Sequence, residues 1–201
     1  MQFIEFLNNI LRAFQETSWL ELLAVAFGTV QVFLSKANKI SNYYFGIISI
    51  LLTISVYFEA RLYAEILLNV YYLTMSIYGI WYWKFKNKQE VSITNCTRRD
   101  WGIVFSIVLG GYVILYWALV NYTNSDVPLL DAAVSCTAWA GMWLLAKRKI
   151  ENWILLNISN SIAIPLLFHK ELYLFACLTI VLFVVAIFGF LKWNSIKSLE
   201  S

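Results

Sequence analysis

Amide, indole and hydroxyl side chains recur at helical spacing within stretches that are otherwise apolar. Trp153, Asn157 and Asn160 stand at i, i+4 and i+7, which puts them on one helical face. Glu65 and Asn69 are four apart, and Tyr72 and Ser76 continue the same face. Asp131, Ser135 and Trp139 make a third stripe, Ser49 and Thr53 a fourth, and Gly28 lies close to Gln31 on a fifth surface. This mixture suits one kind of ligand. A planar, cationic ring stacks on Trp or Tyr faces, where the ring quadrupole favours positive charge. Neutral amides and hydroxyls can bind sugar hydroxyls and release them again. The same residue types have a plainer use, because Ser, Thr, Asn and Gln in membrane helices often tie one helix to the next. That use is the first expectation for Gln31, Ser49, Thr53 and Ser76. Ligand contact is the first expectation for Asn69, Asn157 and Asn160. Glu65 stays open between a solvated position, a pair with Arg61 one turn earlier and a place in the site.

The elements that must position these stripes follow from composition. The chain has 201 residues, 61% hydrophobic and 13% charged. Its mean hydropathy is +0.68. Soluble domains carry about 25% charged residues, so a soluble globular domain, a disordered chain and a disulfide scaffold are excluded. Seven apolar runs are long enough to cross a bilayer: Ser18–Ser35, Ile40–Phe58, Leu62–Trp83, Trp101–Asn121, Val127–Ala146, Asn152–Phe168 and Leu172–Trp193. Their continuity argues against a strand barrel, whose segments alternate every second residue. The expected class is an all-α membrane protein. Phe3, Phe6, Leu7, Ile10, Leu11 and Phe14 predict a short amphipathic helix before the first run. No cleaved signal peptide is expected from the N-terminus.

Twelve Lys and Arg residues fall after spans one, three, five and seven, and only Arg12, Arg61 and Lys170 fall on the other side. The positive-inside rule then predicts an outer N-terminus and a cytoplasmic C-terminus. Trp19, Trp81, Trp83, Trp101, Trp117 and Trp193 stand near span ends and read as interface anchors. Net charge is +3, too small to suggest a nucleic-acid partner. Cys96, Cys136 and Cys177 fit no metal motif and read as free packing residues. The single histidine, His169, sits in a turn. No cofactor, no metal and no enzymatic activity are expected. Pro128 and Pro165 are expected to start or kink helices.

The chain also matches itself at an offset of 110. Lys39, Ile40 and Asn42 fall on Lys149, Ile150 and Asn152; Ile48 and Ser49 fall on Ile158 and Ser159; Gly79 and Trp83 fall on Gly189 and Trp193. Glu21 falls on Asp131, so both first helices carry an acid near their outer ends. The match covers spans one to three and five to seven. It predicts two parallel three-helix repeats joined by span four. The expected organisation is an N-terminal segment 1–17, repeat one 18–84, a cytoplasmic loop and linker helix 85–126, repeat two 127–193 and a tail 194–201. Parallel repeats occur in carriers, with the substrate near the midplane between the halves. No cluster of basic residues sits in any span, which argues against a phosphorylated substrate. A proton-coupled transporter using Glu21, Glu65 or Asp131 is the second class considered, and a non-transporting scaffold the third.

Several runs carry a family resemblance. Asn42-Tyr-Tyr-Phe-Gly-Ile-Ile-Ser49, Glu59-Ala-Arg-Leu-Tyr-Ala-Glu65 and Ser76-Ile-Tyr-Gly-Ile-Trp81 resemble the first half of the PnuC vitamin transporters. Ala146-Lys-Arg-Lys-Ile-Glu-Asn-Trp153, Asn160, Ile164-Pro165-Leu166 and Leu172-Tyr173 resemble the second. The resemblance implies a seven-helix, three-plus-one-plus-three fold similar to the SWEET sugar transporters, as a homotrimer in the cell inner membrane. It implies facilitated uptake of an unphosphorylated vitamin precursor, nicotinamide riboside first and thiamine or riboflavin as alternatives. A cytoplasmic kinase would then trap the substrate. Family members often carry two tryptophans three apart at the start of span six; Trp153 matches the first, but the second position is Leu156. Asn157 beside it is also unusual. Asn160 matches a position that is Asn or Asp in relatives, and Asn69 stands where many nicotinamide riboside carriers have Gln. These departures fall within the expected binding site, so the resemblance implies the fold while leaving the vitamin open.

Overall fold

The computed structural model describes residues 17–59, 63–85, 92–123, 125–170 and 173–200, without the side chains of residues 59, 63–65, 67, 85, 174 and 200. Among the described residues there are seven helices and no strand, only a single bridge between Thr94 and Lys149. The helices are α1 (Trp19–Lys36), α2 (Ser41–Glu59), α3 (Tyr63–Phe85), α4 (Arg98–Tyr122), α5 (Pro128–Ala146), α6 (Asn152–His169) and α7 (Tyr173–Glu200). Each expected span is one of these helices. The main departure is α7, which continues through the stretch expected as a tail because Asn194–Leu199 contains no helix breaker. The N-terminal amphipathic segment lies outside the described residues apart from its last position, and so does Arg61.

Among the described residues five helices are long and apolar enough to cross a membrane: α1, α2, α4, α5 and α7. Asn152, Asn157 and Asn160 lower the apolarity of α6, and α3 carries Asn69 and Tyr72. Local signals fix the helix starts. Ser18 and Glu21 form a capping box on α1, and Thr97 and Asp100 form one on α4. Pro128 occupies the first turn of α5, where its missing N–H costs nothing. A π turn at Ser106–Gly110 interrupts α4, and Gly111 beside it lets the helix approach Cys136 of α5.

Helices α1 and α2 pack together, as do α2 and α3; α5 packs on α6, and α6 on α7. Contacts between these two groups run from α1 to α7 and from α3 to α5, and α4 lies against α5. Many interactions recur at the offset of 110. Ser49 Oγ donates to Ala24 O at 2.7 Å, and Ser159 Oγ donates to Val134 O at 2.8 Å. Asn42 Nδ2 donates to Lys39 O, and Asn152 Nδ2 to Lys149 O, both at 2.6 Å. Tyr43 meets Trp83 edge-on at 5.3 Å, and Trp153 meets Trp193 edge-on at 5.6 Å. Gly79 makes room for the Tyr43 ring and Gly189 for the Trp153 ring; a Cβ would stand 2.4 Å and 2.8 Å from those rings.

The α1–α2 and α5–α6 turns share one end of the bundle, which also carries Lys36, Lys39, Lys147 and Lys149. We call this the basic end. Residues before α4 are strapped beneath it. Thr94 N donates to Arg148 O and Ile150 N donates to Thr94 O, while Ile93 is buried. The Glu151 carboxylate accepts from Cys96 N at 2.9 Å and from Asn95 Nδ2 at 3.1 Å. Lys197 Nζ reaches Asn95 Oδ1 at 2.6 Å, so the extended end of α7 grips the same strap. Burial, and then the hydrogen bond to Glu151, push the Cys96 thiol up to about 12. Its thiolate is therefore scarce where an ordinary thiol ionises near pH 8.5. Maleimide labelling of Cys96 is expected to stay slow through pH 9 in the folded protein and to become ordinary on unfolding.

Two tryptophans expected as interface anchors are internal instead. Trp193 is fully buried and donates to Ser35 O at 3.0 Å. Trp83 donates to Ala146 O at 3.1 Å. An indole at a span end has the same sequence signature whether it faces lipid or a neighbouring helix. Trp19, Trp81, Trp101 and Trp117 are exposed as expected.

Candidate functional site

Three neighbouring chambers that share lining residues are set among the helices of the two groups. The one at the end opposite the basic end is the largest, about 470 Å³, and is lined in part by Asp131, Ser135 and Lys170. It shares Glu21, Val56, Tyr57 and Phe175 with a middle chamber of about 190 Å³. The middle chamber shares Gln31, Val32 and Leu182 with an inner chamber of about 160 Å³. The path thus begins at the acid-bearing end and stops above the basic end.

The inner chamber collects the polar groups most available to a ligand. Trp153 lines it, and its buried Nε1 has no hydrogen-bond partner. Ser35 also lines it with a buried, unpartnered Oγ. Buried polar groups are almost always paired; these two are exceptions in the chamber wall, although neither atom is itself exposed to the chamber. Gln31 enters from α1 and Asn160 from α6. Helix packing explains their reach. Gln31 lies against Gly46, and at the matching contact of the second group Gly141 receives Leu156. The large and small partners have exchanged helices, so one wall presents an amide and the facing wall a leucine.

The other expected residues are distributed as follows. Ser49 lines the middle chamber, but its hydroxyl is committed to Ala24 O, the plainer use. Thr53 also lines that chamber and bonds back to Ser49 O. Asp131 and Ser135 face the large chamber. Asp131 accepts from Lys170 Nζ through both carboxylate oxygens at 2.7 Å and from Ser125 Oγ. Trp139 stacks on Tyr71 at 5.0 Å, and the Tyr71 hydroxyl donates to Trp139 O at 3.0 Å. Trp139 Nε1 and Asn157 Oδ1 are buried without partners, outside the three chambers. Asn69 and Tyr72 line none of the three. The Glu65 side chain lies outside the described residues.

Sequence reasoning did not single out Ser35, Lys170 or Tyr43. Tyr43 is 1% exposed, and its hydroxyl donates at 3.3 Å to the carbonyl of Leu145, a residue that lines the inner chamber. A signal was present for Tyr43, since it falls on Trp153 at the offset of 110. Charged lining is sparse: among the described residues Glu21, Asp131 and Lys170 are the only such side chains on the three chambers. The arrangement can stack a ring, satisfy hydroxyls and amides, and do little proton or redox chemistry.

A family model described as nicotinamide mononucleotide transporter matches residues 18–195. The nicotinamide riboside transporter PnuC of Escherichia coli strain K12 is 24% identical over 205 residues, covering 89% of this chain and 86% of that relative. The Neisseria mucosa transporter of the same name is 28% identical over 169 residues, covering 80% and 64% of the two chains. A solved structure, the crystal structure of the vitamin B3 transporter PnuC, superposes with a TM-score of 0.74 at 24% identity, over 98% of this chain and 91% of that one.

Proposed function

The chain belongs to the nicotinamide mononucleotide transporter family, and on that premise we propose that it carries nicotinamide riboside into the cell by facilitated diffusion. It is a multi-pass membrane transporter and not an enzyme. The inner chamber carries the reading. It pairs an indole with Ser35, Gln31 and Asn160, groups suited to an aromatic ring bearing a sugar, and it holds no cation. Among the described residues Lys170 is the one cation on the chambers, and both Asp131 oxygens already hold it. That favours the riboside over the mononucleotide, whose phosphate would need a free positive partner.

The proposal extends to the architecture. Two parallel three-helix repeats joined by α4, in the SWEET-like arrangement, are supported by the contacts repeated at an offset of 110. The loop charges support a cytoplasmic basic end and C-terminus in the inner membrane. Glu21 caps α1 and Asp131 holds Lys170, which supports a carrier without proton coupling. Uptake is then expected to ignore an imposed pH gradient. The resemblance to PnuC transporters further supports a homotrimer and trapping of the product by a cytoplasmic kinase.

Tryptophan fluorescence titration of the purified protein tests the ligand. Saturable quenching by nicotinamide riboside is expected, with nicotinamide mononucleotide at least tenfold weaker. Quenching by thiamine alone would replace the substrate while keeping the fold, and would direct attention to Leu156 and Asn69. No saturable response to any of the three would sink the reading.

A further inference from the structure

Only two non-glycine residues among those described have positive φ: Asn38 at 56° and Arg148 at 54°. They occupy the same place in the α1–α2 and α5–α6 turns, at the offset of 110. Each turn closes the same way. Asn38 N donates to Ser35 O at 2.9 Å and Lys39 N to Leu34 O at 3.0 Å; Arg148 N donates to Leu145 O at 3.0 Å and Lys149 N to Leu144 O at 2.9 Å. Asn tolerates this left-handed conformation, but for Arg it is strained, and strain of this kind persists where neighbouring contacts enforce it. The contacts are specific. Arg148 is 8% exposed. Its Nε donates to Asn38 Oδ1 at 3.2 Å, and its guanidinium lies 4.3 Å from the Trp83 ring centroid. Equivalent residues of the two halves therefore touch each other, which places them on the axis relating the halves.

The layer above has the same character. Ser35 and Leu145 are also equivalent, both line the inner chamber, and their carbonyls accept from Trp193 and Tyr43 of the opposite halves. The chambers lead away from this layer toward the far end. Four of the five hydrogen bonds described between the halves lie here: Tyr43 to Leu145, Trp83 to Ala146, Arg148 to Asn38 and Trp193 to Ser35. The fifth, Tyr71 to Trp139, is farther along α5.

We propose that Arg148 and Asn38 are a latch on the release route: while the guanidinium bridges Trp83 and Asn38 the basic end is shut, and its withdrawal opens the inner chamber to the cytoplasm. Arg148 acts through the two halves and not on the substrate, so it is a positioning residue. A desolvated guanidinium on an indole, with a charge-assisted hydrogen bond, is strong enough to bias two such states. A ligand can shift that bias only by binding the states unequally. The proposal rests on the carrier reading, but its test needs no substrate.

Ser35→Cys places a thiol on the chamber floor. A membrane-impermeant methanethiosulfonate is applied to one side of oriented vesicles, with labelling of the native cysteines subtracted. From the cytoplasmic side, labelling of Ser35→Cys alone is expected to be slow. Adding Arg148→Ala is expected to raise that rate on the order of tenfold and to lower the rate from the far side as the population moves. Asn38→Gly guards against misfolding of the Arg148 variant. Glycine adopts the left-handed turn freely, so this change deletes only the acceptor, and it too is expected to speed cytoplasmic labelling. Unchanged rates in both variants overturn the latch. Faster labelling from both sides also overturns it, because loosened packing and not a two-state latch would be the cause. Rates that follow Arg148 in a protein with no uptake would instead refute the carrier reading and leave the latch standing.

Discussion

Asn160→Ala is expected to weaken nicotinamide riboside binding on the order of tenfold while hardly changing the melting temperature. Asn160 lines the inner chamber and takes part in none of the described hydrogen bonds, so the folded protein does not depend on its amide. A ligand hydroxyl deprived of that partner inside the chamber loses about 1–3 kcal/mol, and each 1.4 kcal/mol is tenfold. Isothermal titration checks the affinity, and a melting curve in the same detergent checks the fold. An unchanged affinity would remove α6 from the site. Trp153→Ala is a poorer probe. Trp153 is 2% exposed and packs on Trp193, Ile93 and Leu145, so its truncation also opens a cavity in the basic-end core. Such aromatic truncations cost about 3–5 kcal/mol. Trp153→Phe keeps most of the packing and deletes the unpartnered N–H, so its effect on affinity reads the indole directly.

Gly79→Val and Gly189→Val are expected to destabilise the protein by about 1–3 kcal/mol each or more, the range for overpacked cores. At either position even a Cβ collides with a buried ring, Tyr43 in one case and Trp153 in the other. Neither ring has room to retreat, since Tyr43 and Trp153 are 1% and 2% exposed. Displacing Tyr43 also breaks its bond to the Leu145 carbonyl, whereas displacing Trp153 deforms the inner chamber. Equal losses of stability with unequal losses of binding are therefore expected, the larger binding loss at Gly189. Thermal melting and ligand titration of the two variants measure both. A normal melting temperature for either would mean that the glycines are not close-contact positions.

The helices were legible because long apolar runs leave little choice in a bilayer, and Pro128 marked the start of one of them; the cap at Thr97, which starts α4 three residues before the expected Trp101, went unread. The internal match was legible because Asn42 and Asn152, or Gly79 and Gly189, are polar or small residues that chance alignment of apolar helices does not supply. Individual roles were harder. A stripe shows which residues share a face, but not what the face meets. Asn157 and Asn160 share a helix, yet only Asn160 reaches a chamber. Ser49, expected first as a tie between helices, is spent on a carbonyl of the neighbouring helix, while Gln31, expected in the same use, lines a chamber. Asn69 and Tyr72 line no chamber; among the described side chains of their helix only Leu68 does. Ser35 escaped notice because a single serine beside Lys36 reads as a helix end, and only tertiary packing buries it. Arg148 could not be read at all, since a left-handed turn at arginine has no sequence signature.

Under the proposed arrangement of two three-helix repeats, the position of α4 against α5, with its strap beneath the basic end, bears on how such a chain would arise. Three crossings finish on the opposite side of the membrane from where they began. A gene for three helices, copied directly in tandem, would therefore produce a second half inserted upside down. One added crossing restores parity. Only then do Asn38 and Arg148 arrive at the same face, where two copies of one turn can meet. An ancestor that fused its halves without such a crossing would have placed those turns on opposite sides of the bilayer, each facing a compartment the other never sees.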